Sequence, residues 1–293
     1  MYRVRRWRKL MESHEVIKAL REERGITISS LAKDIMSREA LNKFELRGTS
    51  LSSEKLTKIL AKLNVTYEEY LHRLDMSSLD TKKKYDILFK QAVLHGNEEK
   101  YQSLSLSLEQ KYAETAEMFY AIKKEQFAIE YNYIQNRSLK GSQEGIRFIK
   151  KYLNSIETWG KFEISIFGSC MFAFPNEYIY GNLNRLNRRI HSFIADSPIH
   201  SDFSHILLNA LILLVAIRKD YTYGPKLIDQ LQEYTNDPNY MYEKICGNIF
   251  SKVIKKKEMF TLNDIERELS ILQYLGYDEV ANGIEQALIS GNK

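Results

Sequence analysis

Apolar residues recur at intervals of three and four through residues 14–74, and again in longer blocks from about Thr81 to the C-terminus. That period predicts helices. The first runs from about His14 to Arg24, with Val16, Ile17 and Leu20 inward and Gly25 at its C-cap. Thr27 N-caps a second, which turns Ile28, Leu31, Ala32 and Ile35 to the same side. Ser37 caps a third, in which Leu41 and Phe44 face the core while Arg38, Glu39, Asn42 and Lys43 stay outside near its N-terminus. Two more follow, Ser53–Leu63 with Leu56, Ile59, Leu60 and Leu63 inward, and Thr66–Leu74, opened by a Thr66/Glu69 capping box.

Two short helices joined by a tight connection, the second polar on its outer side, have the shape of a helix-turn-helix that reads a DNA major groove. The exposed set suits that task. Arg and Lys match guanine O6 and N7, Asn matches adenine N6 and N7, and Glu accepts from cytosine N4. Ser37, at the helix N-terminus, suits a phosphate. The competing reading is a plain helical domain with a solvated charged face. The order of the pieces resembles the Xre and lambda-repressor class, which implies a structural pair between an arginine of the first helix and a glutamate ending the recognition helix. Arg21 and Glu45 occupy those places. That class usually reads Glu-x-Gly here, whereas this chain has Glu45, Leu46, Arg47, Gly48, so the turn is expected to be displaced by one residue.

Beyond Thr81, helical patterns are separated by punctuators at Gly96, Lys140 to Ser142, Gly160, Pro175, Asp196 to Pro198, Tyr223 to Pro225, Asn236 to Pro238 and Gly276. Helices with short turns, repeated to the end, predict stacked antiparallel pairs, an α-solenoid without a strict repeat length. One helix, Ser142 to Trp159, carries a stripe of Ile146, Ile149, Leu153, Ile156 and Trp159. The next, Lys161 to Phe174, is apolar nearly all round and is expected to lie deep. The expected fold is all-α: a five-helix helix-turn-helix domain followed by a tetratricopeptide-like solenoid. The expected divisions are a basic arm at 1–13, the helix-turn-helix domain at 14–75, a linker at 76–84 and the repeat domain at 85–293.

Composition agrees, since 4 Pro and 13 Gly in 293 residues leave room for long helices. Residues 1–75 hold 16 Lys and Arg against 11 Asp and Glu, and the rest of the chain is balanced. Arg3, Arg5, Arg6, Arg8 and Lys9 account for that whole surplus, as a DNA-contacting arm, a solvated tail, or a start assigned too far upstream. The longest apolar run, Ile206 to Ile217, is too short to span a bilayer and is interrupted by Asn209, so a buried helix is expected. The basic N-terminus is not followed by an apolar segment of a secretory signal, so a cytoplasmic protein is expected. Cys170 and Cys246 lie far apart in apolar helices and read as buried free thiols.

A closer resemblance then emerges. ISSLA from Ile28, SREALNKFE from Ser37, KLNVT from Lys62, WGKFEISIFG from Trp159 and LQYLG from Leu272 are similar to elements of the Rgg/GadR/MutR family of bacterial regulators. The resemblance implies an Xre-type DNA-binding domain and a repeat domain that dimerises and receives a short linear signalling peptide. It also implies that Asn209 faces the groove and bonds a peptide backbone, against the alternative of a core asparagine satisfied by a neighbouring helix. Where family members often have an arginine beyond the WG element, this chain has Phe172. Arg185, with Arg188 and Arg189, is a substitute partner for a peptide carboxylate, or else part of a charged outer helix face. Tyr221 and Tyr223 are weaker candidates for a groove wall.

The expected function is sequence-specific regulation of transcription, with double-stranded DNA bearing an inverted-repeat-like operator, a short linear peptide, a second copy of the chain and RNA polymerase as partners, and with no membrane partner. The alternative is a protein-interaction adaptor whose helix-turn-helix is structural. Catalysis is not expected: the six histidines show no ligand spacing, and no Walker loop, nucleotide fingerprint or nucleophile elbow is present. No cofactor or metal is implied.

Overall fold

A computed structural model describes residues 11–74, 82–190 and 198–290, which are helical throughout with no strand among them. Residues 1–10 of the expected basic arm and most of the expected linker lie outside the described residues. By internal contacts the chain divides into two compact units, Met1–Gln91 and Ala92–Lys293.

In the first unit α1 (Ser13–Glu23), α2 (Ile28–Ala32), α3 (Arg38–Arg47), α4 (Ser53–Lys62) and α5 (Tyr67–Arg73) surround one core. Val16, Ile17, Leu20, Leu31, Leu41, Phe44, Ile59, Leu60 and Leu63 are buried there. The caps are local and specific. The hydroxyl of Thr27 accepts from the Ser30 N–H at 3.1 Å, and that of Ser37 from the Ala40 N–H at 3.1 Å. Thr66 and Glu69 exchange bonds at 3.1 and 2.7 Å. Each satisfies donors that a helix start leaves open.

One helix end differs from expectation. α2 stops at Ala32, and Ile35 packs on the core from a turn in which Asp34 takes φ 64°. The turn after α3 is displaced as expected: the helix continues to Arg47, and Gly48 at φ 63° forms its C-cap. His14 packs against that glycine, where a Cβ would lie 3.0 Å from its Nδ1.

α6 (Lys83–Leu94) spans the division between the units. The second unit contains α7 (Glu98–Thr115), α8 (Met118–Asn136), α9 (Gln143–Ser155), α10 (Lys161–Cys170), α11 (Asn176–Ile190) and α12 (Pro198–Leu211). It ends with α13 (Gly224–Tyr234), α14 (Met241–Lys256), α15 (Glu266–Tyr274) and α16 (Asp278–Ser290). α8, α10, α12 and α14 pack on one another in succession, with α7, α9, α11 and α13 in the alternate places of a two-layer stack. The contacts run in the same order along neighbours of one layer. Lys123 lies over Phe162 at one end of α8 and α10, and Tyr133 meets Phe172 at the other, so the two helices are parallel.

The helix expected from Ser142 to Trp159 is shorter: α9 ends at Ser155, Ile156 is extended, and Trp159 belongs to the turn beyond. Trp159 is nonetheless buried, with its indole N–H donating to the Leu153 carbonyl at 2.9 Å, so it serves as the stop of α9 rather than its last apolar position. α10 gives way after Cys170 to a 3-10 turn, Met171–Ala173. The run from Ile206 to Ile217 is the buried segment expected, but its second half, Ile212–Ile217, is π-helical. No helix among the described residues is long and apolar enough to cross a membrane.

Candidate functional site

On α3, Arg38, Glu39, Asn42 and Lys43 are all exposed, while Leu41, Phe44 and Glu45 point inward. Arg38 and Asn42, like Glu39 and Lys43, are four residues apart and share a helix face. Ser37 is exposed and its oxygen already accepts in the cap, leaving its O–H to donate to a phosphate oxygen.

What holds this helix is charged and buried. Arg21 donates to Glu45 through Nε at 2.7 Å and Nη2 at 2.8 Å, and its Nη1 donates to the Ile26 carbonyl at 3.0 Å. One guanidinium therefore joins α1, the loop before α2 and α3 in a two-pronged geometry that a lysine cannot reproduce. The hydrogen bond to Glu45 raises the arginine pKa further. A second cation was not legible in the sequence. Lys62, at the end of α4, donates to the carbonyl oxygens of Ser30, at 3.3 Å, and of Lys33. These are last-turn carbonyls of the five-residue α2, which is too short to be stable by itself. Lys62→Met should therefore loosen the turn before α3 and weaken specific DNA binding about threefold to tenfold, with the domain still folded; unchanged affinity in a fluorescence-anisotropy titration would confine Lys62 to the surface.

In the second unit three rows of side chains follow the helical spacing of three and four. They are Lys123, Gln126, Glu130 and Tyr133 on α8; Phe162, Ser165 and Ser169 on α10, continued by Phe172; and Asp202, His205 and Asn209 on α12. The Tyr133 and Phe172 rings lie 4.6 Å apart, and Lys161 reaches Asp202 at 3.6 Å, tying the three helices together. Asn209 is exposed and its side chain has no hydrogen-bond partner among the described residues, so the core-asparagine alternative is excluded. Phe172 is half-buried, and its carbonyl accepts from Arg218 Nη2 at 2.7 Å. Arg218 also holds the Phe174 carbonyl at 2.9 Å, so this cation is spent on closing the end of α10. Its burial lowers its pKa.

Arg185 is not brought into these rows. It stands on α11 with its guanidinium 4.9 Å from the Trp159 ring centre. Arg189 binds Thr158 Oγ1 at 2.9 Å and the Glu157 carbonyl, and Arg188 is exposed, as a charged outer face requires. Tyr223 stacks on Tyr180 at 4.3 Å, and Tyr221 is half-buried. Among the described residues no group of histidine, cysteine and carboxylate side chains could hold a metal ion. Burial pushes the Cys246 thiol up to about 12 and raises that of Cys170 as well, so neither is a thiolate at neutral pH.

A helix-turn-helix that shows a polar recognition face, followed by a two-layer helical repeat domain, defines the class of DNA-binding transcriptional regulators. Residues 99–286 match the family described as HTH-type transcriptional regulator Rgg, C-terminal domain, and residues 17–70 match the helix-turn-helix family. The chain belongs to the Rgg family of transcriptional regulators. No curated protein matches it in sequence. Among solved structures it is similar in fold to the SHP pheromone receptor Rgg2 of Streptococcus dysgalactiae, with 21% identity, a TM-score of 0.74, and coverage of 95% of this chain and 99% of the other. It is also similar to a bacterial peptide pheromone/receptor complex (18% identity, TM-score 0.75, coverage 96% and 98%). A PrgX/cCF10 complex matches at 15% identity and a TM-score of 0.74, with coverage of 96% and 92%.

Proposed function

We propose that this regulator binds an inverted-repeat-like operator as a homodimer and is controlled by a short linear peptide held by its repeat domain. The observation that carries the peptide reading is the set of polar and aromatic rows on α8, α10 and α12, with Asn209 exposed and unbonded among them. Helices of one layer that pack directly on each other lie on the shorter arc of a two-layer stack, which is its concave side. A flexible peptide needs main-chain partners there to offset the cost of ordering it. Asn209 supplies a carboxamide, and Phe172 an aromatic wall. Arg185 lies over Trp159, and its buried Nη2 has no hydrogen-bond acceptor, so it remains a candidate partner for a carboxylate. The similar folds of a pheromone receptor and of a peptide pheromone/receptor complex support the reading.

On DNA, Arg38, Glu39, Asn42 and Lys43 read base edges, and Ser37 with the N-terminus of α3 contacts a phosphate. Two copies related by a two-fold axis place their α3 helices in major grooves about one helical turn apart. The peptide regulates by binding one arrangement of the dimer better than another, which alters operator fit or contact with RNA polymerase.

The test is protection of the gene's own upstream and neighbouring intergenic DNA by the purified protein, at near-physiological salt and with excess random competitor. A protected inverted site is expected. Arg38→Ala should cost about 1–3 kcal/mol at that site and relax the preference at one base pair of each half-site. Binding that random competitor abolishes everywhere would instead favour an interaction adaptor.

A further inference from the structure

Thr235, in the turn after α13, is 2% exposed, and its hydroxyl has no hydrogen-bond partner among the described residues. Its N–H is spent on the Gln232 carbonyl at 3.3 Å, which leaves the hydroxyl. Thr235 lines a cavity of about 170 Å³ between α13 and α14. Side-chain atoms that lack both a partner and access to solvent occur elsewhere, at Gln126, Arg185, Gln230 and Glu268. The Thr235 oxygen is not among them, so the little surface that this residue keeps includes its hydroxyl, which faces the cavity. A polar group so placed waits for a ligand or for water.

The rest of the wall has one chemical character. Gln232 comes from the last turn of α13, Asn236 from the turn beyond it, and Lys244 and Asn248 from one face of α14, four residues apart. None of these four side chains has a hydrogen-bond or ion-pair partner among the described residues. Leu231 and Gly247 complete the lining, where α13 and α14 approach so closely that a Cβ on Gly247 would lie 3.1 Å from Leu231 Cδ2. No carboxylate lines the cavity. Of its acidic neighbours in sequence, Asp237 accepts from the Asn239 N–H at 2.8 Å, and Glu243 lies 3.0 Å from His205.

We infer that this cavity binds a small oxyanion, either a phosphate group or a short carboxylate. The ammonium of Lys244, the hydroxyl of Thr235 and the carboxamides of Gln232, Asn236 and Asn248 offer donors from both helices and the turn between them. With one positive charge and no negative one, the wall repels a cation and leaves the ammonium unopposed beside a neutral ligand. At about 30 Å³ per water molecule there is room for about five, enough for a phosphate or a carboxylic acid of a few carbons and too little for a nucleotide or a peptide. The cavity shares no residue with the rows on α8, α10 and α12, so the inference stands apart from the peptide reading. An occupant joins α13 to α14 and stabilises the folded repeat domain, as any ligand of the native state does.

The experiment titrates the full chain with sodium phosphate and, separately, with sodium acetate, each against sodium chloride of equal ionic strength. Calorimetry should show saturable binding at one site per chain for at least one of the two anions, with a rise in the melting temperature of the repeat domain beyond that in chloride. Which anion saturates distinguishes a phosphate-bearing ligand from a carboxylate. Thr235→Val keeps the side-chain volume and should weaken binding about tenfold, and Lys244→Gln should weaken it at least as much. Both variants should melt like the wild type without ligand, since the hydroxyl is unpaired and Lys244 is exposed. Saturation by neither anion would overturn the site and leave the Thr235 hydroxyl to water. Binding that both variants retain would overturn it as well, by placing the anion elsewhere, such as on the DNA-reading face.

Discussion

Glu45→Ala should unfold much of the N-terminal unit at 37 °C. The substitution leaves the Arg21 guanidinium, on a residue 8% exposed, without the carboxylate that takes two of its hydrogen bonds. Breaking one side of a buried pair costs about 3–5 kcal/mol. At about 0.05–0.15 kcal/mol per residue, a helical unit of this size has about 3–10 kcal/mol in total, so the loss takes a third of it or more. Two-step thermal unfolding is expected, with the earlier step moved down and specific DNA binding lost. The double replacement Arg21→Met with Glu45→Leu should recover most of the stability, because a buried ion pair and well-packed apolar side chains of similar volume are close in free energy. A Glu45→Ala protein that melts like the wild type would show that water reaches the guanidinium and that the pair is not the brace of α3.

The second large effect belongs to the repeat domain. Trp159→Ala should lower its stability by about 3–5 kcal/mol, the range for deleting a large buried aromatic. The indole is 4% exposed, lies 5.2 Å from the Phe167 ring, and carries the Arg185 guanidinium on its other contact. Its N–H also satisfies the Leu153 carbonyl in the last turn of α9, where helical partners run out. Trp159→Phe should restore most of the buried area and leave that carbonyl unpaired, for a loss of about 1–2 kcal/mol. Urea denaturation followed by circular dichroism separates the two variants. Equal losses would mean that the hydrogen bond matters and the ring volume does not.

Trp159 also illustrates where pattern reading ends. Its spacing from Ile156 and Leu153 places it on a helical stripe, and it is indeed buried, but the backbone leaves the helix at Ser155 and the ring returns to cap it. Periodicity reports which side chains seek the core, not whether the backbone between them remains helical. Asn209 shows the same limit in reverse. A lone asparagine in an apolar run is equally consistent with a satisfied core position and with an exposed one, and only the packing of α12 against α10 and α14 turns it outward.

The sequence by itself determined what depends on neighbours within one turn. Thr27, Ser37 and Thr66 mark helix starts, Gly48 marks the end of α3, the apolar spacing separates core from surface on α3, and the order of short helices identifies the DNA-reading unit. Tertiary structure alone decided what depends on residues distant in the chain. Lys62 closes α2 from 29 positions away at Lys33, Arg218 closes the end of α10 from 46 positions away at Phe172, and Arg185 is drawn to Trp159. The unpaired hydroxyl of Thr235 belongs with these, since an unpaired group is defined by every neighbour that fails to reach it. Caps and faces follow from local geometry, whereas partners across the fold follow from packing, which no short window of sequence contains.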